Sequence, residues 1–329
     1  MKFSIIIPVY NRPNELRELL DSLEQQTSKN FEIVIVEDGS DKKSDFLIEN
    51  YPNLNIYYFF KQNSGPAASR NFGMKHSNGD FFIFFDSDCI VPPDYISTLQ
   101  SAINQQQVDA FGGADMAHKD FNDLQKAISY SMTSFFTTGG IRGGSEKIEK
   151  FHPRSFNMGY SRKVFEATQG FGDMRFGEDI DMSIRINKNG FKTFLIKETS
   201  VYHKRRTNLR QFYKQVYNSG IARINLYKRH PESLKLVHLA PSLFTLGLTL
   251  IFIVSVSIDK SFLWLPTIYF FLIFIDSSIK NKSLKIGLLS IITSTVQLSS
   301  YGLGFLQGVW RRLVLKKDEF AAFQSNFYE

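Results

Sequence analysis

Cysteine is almost missing from this chain: Cys89 stands alone among 329 residues, which excludes an internal disulfide. The opening stretch, residues 1–8, is too short an apolar run for a secretory signal. Both observations lead us to expect the globular part in a reducing compartment. Tryptophan is nearly as scarce, with only Trp264 and Trp310, both far toward the C-terminus. Charge is unevenly spread. It runs regularly to about Lys235, then thins sharply until Arg311, and that change marks the main boundary.

Hydrophobic residues make up 43% of the chain and aromatic residues 15% of it, enough for one substantial core and a smaller module. Its net charge is +7, yet the excess sits in Lys204 to Arg206, Lys228-Arg229, Lys280 to Lys285 and Arg311 to Lys317. Those runs flank the apolar segments, so anionic lipid headgroups are the expected partner and nucleic acid is not.

In the first hundred residues short β-branched or aromatic runs alternate with helical spacing. Strands are expected at 3–8, 31–37, 54–60 and 80–86. A helix is expected over 14–26, where Leu16, Leu19, Leu20 and Leu23 share a face and Asn11 or Asn14 can cap it. This alternation implies an α/β fold with a doubly wound, mostly parallel, Rossmann-like sheet. Ligands on such sheets bind beyond the carboxyl ends of the strands. Polar and small residues gather there: Val9 to Arg12, Asp38-Gly39-Ser40, Asn63 to Pro66, and Ser87-Asp88. Past residue 108 the alternation weakens, and 137–145, rich in glycine and threonine, reads as a loop that orders over an acceptor.

Residues 236–258 are long and apolar enough to cross a bilayer. Residues 261–275 form a shorter apolar stretch. The third, 286–310, is long but carries Ser290, Thr293, Ser294, Thr295, Gln297, Ser299 and Ser300, and offers Gly304 and Gly308 for close helix packing. Three crossings would put Arg311 to Lys317 opposite the other basic groups, against the positive-inside tendency, which leaves open a re-entrant or interfacial placement for one segment. Before them, Leu209, Phe212, Tyr213, Val216, Tyr217, Ile221 and Ile224 share a helical face, as expected of an interfacial helix, while packing on protein fits the same pattern. The expected organisation is therefore 1–207 catalytic, 208–232 amphipathic helix, 233–312 two or three transmembrane or re-entrant helices, and 313–329 a basic then polar tail.

Asp86-Ser87-Asp88 follows the buried strand sequence Phe81 to Phe85, so two carboxylates emerge together at the ligand edge. They repel unless a cation joins them, and oxygen ligands suit Mg²⁺ or Mn²⁺. The same spacing recurs at Asp179 and Asp181, where the pattern has no strand behind it; position, not spacing, makes the first pair the metal candidate.

With Ile6-Ile7-Pro8-Val9-Tyr10-Asn11, Val34-Ile35-Val36-Glu37-Asp38-Gly39-Ser40, Asn63 to Asn71, Asp86 to Asp88 and Gly177-Glu178-Asp179 in order, the N-terminal part resembles family 2 glycosyltransferases of the GT-A fold. The resemblance covers roughly residues 2–203. It implies nucleotide contacts from Pro8, Asp38 and Arg70, with Asp86 and Ser87 beside the nucleotide sugar, and a metal on Asp88 and Asp86 completed by His203. A carboxylate can accept from a base or ribose, and the arginine fork suits a diphosphate. Glu37 stands where the family commonly has a second aspartate, and its longer reach separates it from that contact.

The resemblance also implies that Asp179, supported by Glu178, is the general base that deprotonates an acceptor hydroxyl, with inversion at the anomeric carbon. Asn157, Gly159 and Arg162 lie in a segment similar to the family's acceptor side; a plain turn into the helix after it explains the same residues. The expected reaction is transfer of one sugar from a nucleoside-diphosphate sugar, uridine by resemblance, to a lipid-linked or membrane-associated saccharide in cell-surface glycan synthesis. The site is expected at the cytoplasmic membrane with its catalytic part in the cytosol. Transfer to polyprenyl phosphate would need no base. A processive synthase would carry Gln-x-x-Arg-Trp, which neither tryptophan here provides. A nucleotidyltransferase would carry a glycine-rich loop after the first strand, and Pro8 to Arg12 has no glycine. An inactive nucleotide-sugar-binding scaffold would have no need of Asp86, Asp88 and Asp179.

Overall fold

The structure is a computed structural model, described here for residues 1–116, 121–138, 152–204 and 206–323. Most of the expected loop at 137–145 lies outside the described residues. Two compact units divide the chain: residues 1–118 with 150–204, and 119–149 with 205–329.

The first unit is built on an eight-stranded sheet of order β3-β2-β1-β4-β7-β6-β8-β5. Its strands are β1 (Phe3–Val9), β2 (Phe31–Asp38), β3 (Ile56–Lys61), β4 (Phe81–Phe84), β5 (Cys89–Ile90), β6 (Ala110–Met116), β7 (Met158–Ser161) and β8 (Thr193–His203). The first four pair in parallel, as the alternation of strands and helices requires. Antiparallel β7 joins β4 to β6, and short β5 pairs antiparallel to β8. The sheet is thus parallel on one side and mixed on the other.

Alternation along the strands decides the layers. Phe3, Ile5 and Ile7 of β1 point into a core closed by Leu16, Leu19, Leu20 and Leu23 of α1 (Pro13–Glu24) and Tyr95, Ile96, Leu99 and Ile103 of α3 (Tyr95–Gln106). Ile6 points the other way, where Met74 of α2 (Pro66–Lys75), Val164 of α6 (Arg162–Thr168), and Met182 and Ile186 of α7 (Glu178–Lys188) complete a second core. Helices therefore cover both faces, and polar groups collect at the edge where β1, β2 and β4 end.

Neither expected asparagine caps α1. The helix starts at Pro13, whose fixed φ suits a first turn, with Arg12 at the cap position and no side-chain cap bond. Asn11 adopts φ 55° and accepts a hydrogen bond from the Lys42 amide at 3.0 Å, so it ties two loops together instead.

The second unit is helical: α4 (Asp123–Thr133), α5 (Phe135–Thr138), α8 (Leu209–Arg229), α9 (Ala240–Ser257), α10 (Trp264–Asn281) and α11 (Leu284–Gly308). Three stretches in it are long and apolar enough to cross a membrane, Leu236–Ser257, Lys260–Asn281 and Leu284–Val314. The apolar face expected on 208–232 is present on α8, with Phe212, Val216, Ile221 and Ile224 buried. The Gly304–Gly308 pair faces α8 rather than another apolar helix: a Cβ on Gly304 would come within 2.0 Å of the Tyr217 carbonyl oxygen.

Candidate active site

Strand β4 ends at Phe84, and the chain turns so that Asp86, Ser87 and Asp88 leave the sheet at its carboxyl edge. Residue 89 then enters β5, where Cys89 lies opposite His203 in the register with β8. That short pairing, absent from any periodicity, sets His203 Nε2 3.2 Å from Asp88 Oδ1. The His203 ring stacks on Phe156, with centroids 4.3 Å apart and planes 9° from parallel. Phe156 thereby fixes which way the imidazole faces.

On its other oxygen Asp88 accepts from Arg12 Nη1 at 2.8 Å. Chain order puts Arg12 at this edge, after β1, and nothing in its residue type alone marks it as a partner of Asp88. Among the described residues, Asp88, Cys89 and His203 form a group whose ligand atoms lie close enough to share one ion. Burial, then the neighbouring Asp88 and Asp86 carboxylates, push the Cys89 thiol well above its ordinary range, and the thiol points to the Phe156 carbonyl at 3.5 Å. A protonated thiol is a poor ligand, so the usable donors are carboxylate oxygen and imidazole nitrogen, a set that fits Mn²⁺ or Mg²⁺. Asp115 of β6 also contributes to the field at Cys89; nothing in its Gly-Gly-Ala-Asp context signals that.

Arg70, on α2, is 2% exposed and is the second organising residue. Its Nη2 donates to Asp86 Oδ1 at 2.6 Å and its Nη1 to Glu178 Oε1 at 3.2 Å. Burial works against its charge, and Asp86 and then Glu178 outweigh that. Its Nε is buried without a hydrogen-bond partner, an orphan donor of the kind a bound anion satisfies.

Glu178 and Asp179 open α7, with Gly177 at the cap position. Burial first, and the Asp179 charge second, raise the Glu178 carboxyl from 4.5 to about 7 against the pull of Arg70. Asp179 Oδ2 lies 3.4 Å from Arg154 Nη1, an arginine that sequence reasoning passed over. Asp181, by contrast, is buried and pairs with Arg185 one turn along the same helix at 2.9 Å.

Asp38 and Glu37 divide their duties. Glu37 is buried and accepts from Ser40, the Ser44 amide and the Tyr58 hydroxyl, so it braces the turn. Asp38 accepts from the Ser64 and Gly65 amides at 2.9 and 2.8 Å and pairs with Lys61, which fastens the loop before α2. Pro8 and Ser87 lie at the same edge, Pro8 opposite Val36 in the parallel register.

Of the three acceptor-side residues, Arg162 is not brought to this edge, and Asn157 and Gly159 serve the packing of the sheet. The antiparallel β4–β7 register sets Met158 against Phe84 but Ser161 against Phe81, so Arg162 is at the opposite end of the strand. There it donates to the Gly79 and Ser77 carbonyls at 2.9 Å each. Asn157 is wholly buried, donating to the Thr199 and Ala114 carbonyls and accepting from the Tyr95 hydroxyl. Gly159 permits sheet packing: a Cβ there would sit 2.3 Å from the Phe82 carbonyl oxygen. The segment's reach to the site runs instead through Arg154 and Phe156.

The fold, with strand-end carboxylates at its carboxyl edge and a buried arginine behind them, is of the GT-A type. Residues 4–168 match the model of Glycosyl transferase family 2, half of the chain, and the chain belongs to that family. Glycosyltransferase GlyA of Streptococcus pneumoniae serotype 4 is 40% identical over 110 residues, 33% of this chain and 16% of GlyA. The O-antigen chain rhamnosyltransferase RfbN of Salmonella typhimurium is 26% identical over 229 residues, 67% of this chain and 72% of RfbN. Of GlyA and two uncharacterized Rickettsia glycosyltransferases the match spans only 16%, 22% and 36%. Among solved structures, the mannosyltransferase PcManGT from Pyrobaculum calidifontis, in complex with GDP-Man and Mn²⁺, superposes with a TM-score of 0.67 at 16% identity, covering 94% of this chain and 88% of that one. S. aureus TarS 1-349 in complex with UDP-GlcNAc gives 0.50 at 18% identity, with 95% and 92% covered. At these identities the likeness is one of fold.

Proposed function

We propose that the chain transfers a single sugar, with inversion, from a nucleoside-diphosphate sugar to a hydroxyl of a membrane-associated, lipid-linked saccharide in cell-surface glycan synthesis. The observation that carries this reading is the buried Arg70 joining Asp86 to Glu178. It links the donor-side carboxylates to the pair that opens α7, and it keeps one unsatisfied N–H for a phosphate oxygen.

In this reading Arg70 faces the diphosphate, and Pro8, Asp38 and Ser87 line the nucleotide. Asp38 would meet the base only through acceptor capacity left after its bonds to the loop amides. Asp88, Asp86 and His203 would hold Mg²⁺ or Mn²⁺, with Phe156 orienting the imidazole. The cation supplies charge neutralisation for the departing nucleoside diphosphate.

Asp179 takes the proton as the acceptor oxygen bonds to the anomeric carbon and the bond from that carbon to the diphosphate breaks on the opposite face. The electron pair of the broken bond leaves with the nucleoside diphosphate. Glu178, holding a share of its proton near neutral pH, lessens the negative charge packed beside Asp179. A base has a use only for a hydroxyl acceptor, which favours a saccharide over polyprenyl phosphate. The two solved relatives hold GDP-Man and UDP-GlcNAc, so the uridine reading is tested against guanosine directly.

The experiment is metal-dependent release of nucleoside diphosphate from a panel of UDP and GDP sugars, with isolated membranes supplying the acceptor. One donor released only with membranes and Mn²⁺ or Mg²⁺ is the expected result. Binding of donors with no release under any condition would leave a scaffold and remove the transferase reading.

A further inference from the structure

We propose that α9 and α10 cross the membrane as a hairpin and that α11 does not cross. The argument rests on the membrane placement proposed from the sequence and concerns the second unit alone.

The three apolar stretches are not alike. In the most apolar window of Leu236–Ser257 and of Lys260–Asn281, 11% of residues are buried by protein, against 50% in Leu284–Val314. Helix α11 meets α10 at Ser277–Ser290 and α9 at Ser242–Gly302, and the rest of what buries it is the polar-surfaced pair α4 and α8. Along its first half lies α4: Lys285 pairs with Asp123 at 2.8 Å, and Thr293 Oγ1 donates to the Ala127 carbonyl at 2.9 Å. Along its second half lies α8, in backbone contact at Gly304 and Gly220, where a Cβ would fall 2.0 and 2.3 Å from the facing carbonyl oxygens.

Between them α4 and α8 accompany α11 from residue 285 to residue 308. Were α11 transmembrane, both would have to follow it into hydrocarbon. Helix α8 carries Arg210, Lys214, Arg223, Lys228 and Arg229, and charges at a bilayer centre are strongly disfavoured. The side of α11 away from them is apolar and exposed at Leu284, Leu288 and Ile292, one helical face. Such a helix belongs at the boundary, one side to lipid and the other to protein.

The C-terminal residues point the same way. Beyond α11 the chain returns to α8, where Asn218 exchanges hydrogen bonds with Ala322, Asn225 donates to the Phe320 carbonyl, and Arg229 pairs with Glu319 at 2.7 Å. A tail docked on α8 must be on the side from which the chain enters α9. Two crossings satisfy that, and three do not.

Charge completes the case. With two crossings, Lys228, Arg229 and Lys235, Lys280 to Lys285, and Arg311 to Lys317 all share one side. The loop between α9 and α10 keeps only Asp259 and Lys260, which cancel. That distribution follows the positive-inside tendency that three crossings violate.

Single cysteines at Lys282, Lys316 and Ser261 test this with a membrane-impermeant maleimide on intact spheroplasts and on inverted vesicles. The wild-type chain, whose Cys89 is buried, gives the background. We expect Lys282→Cys and Lys316→Cys to label from the same, cytosolic side and Ser261→Cys from the other. Lys316→Cys labelled opposite to Lys282→Cys would show that α11 crosses, and Ser261→Cys labelled beside Lys282→Cys would show that nothing does. Either result overturns the proposal while leaving the transferase reading intact. Where a variant fails to accumulate, Ser283, Asp318 or Lys260 in the same loop carries the cysteine. Recovery of wild-type chain from the soluble fraction would remove the membrane reading itself.

Discussion

Glu178→Gln isolates the most perturbed carboxyl at the site. The carboxyl moves from 4.5 to about 7 on folding, so between those pH values the folded chain binds more protons than the unfolded one. Its contribution is complete below pH 4.5, declines as pH rises, and is lost above 7. At about 1.4 kcal/mol per tenfold change in proton affinity, the loss between pH 5 and 8 is on the order of 3 kcal/mol. Glutamine matches the protonated acid in shape and does not titrate. Wild type and variant should therefore unfold together near pH 5 and separate toward pH 8, with the glutamine chain the more stable. For a domain of this size the gap amounts to about 6–12 °C in Tm. Thermal unfolding in detergent with chelator present measures it, since a bound cation would alter the field around Arg70. Parallel curves from pH 5 to 8 would mean that Arg70 compensates Glu178 fully and that burial does not raise its carboxyl.

Three further outcomes concern the reaction. Asp179→Asn should bind donor and metal nearly as wild type does, by calorimetry, yet lose transfer by on the order of 10²-fold or more; near-normal turnover would take Asp179 out of the mechanism. Asp88→Ala should weaken donor binding only in the presence of the divalent ion, and equal donor affinity with and without chelator would defeat that assignment. Phe156→Ala frees the His203 ring and should lower Mn²⁺ affinity on the order of 10-fold, read from free Mn²⁺ by electron paramagnetic resonance; an unchanged affinity would leave the stacked ring without a role.

The parallel half of the sheet was legible because its signal is local. Each of β1 to β4 is a short apolar run followed by turn chemistry, and the strands lie within a residue or two of their expected positions. The mixed half was not, since β5 has two residues and β7 four, too few for a period to show. Those short strands supply the geometry: β5 sets Asp88 beside His203, which the resemblance alone had joined, and the stretch before β7 supplies Arg154 and Phe156.

Residue type also misled where burial decides the role. Asn157 and Arg162 have the chemistry of acceptor contacts, but one is consumed by three internal hydrogen bonds and the other holds the Ser77–Gly79 carbonyls at the far end of β4. Arg12 shows the converse. Pro13 opens α1 without a capping side chain, and the arginine ahead of it is spent on Asp88 rather than on solvent. In the proposed reading, a cation on Asp88 would compete with Arg12 for that carboxylate.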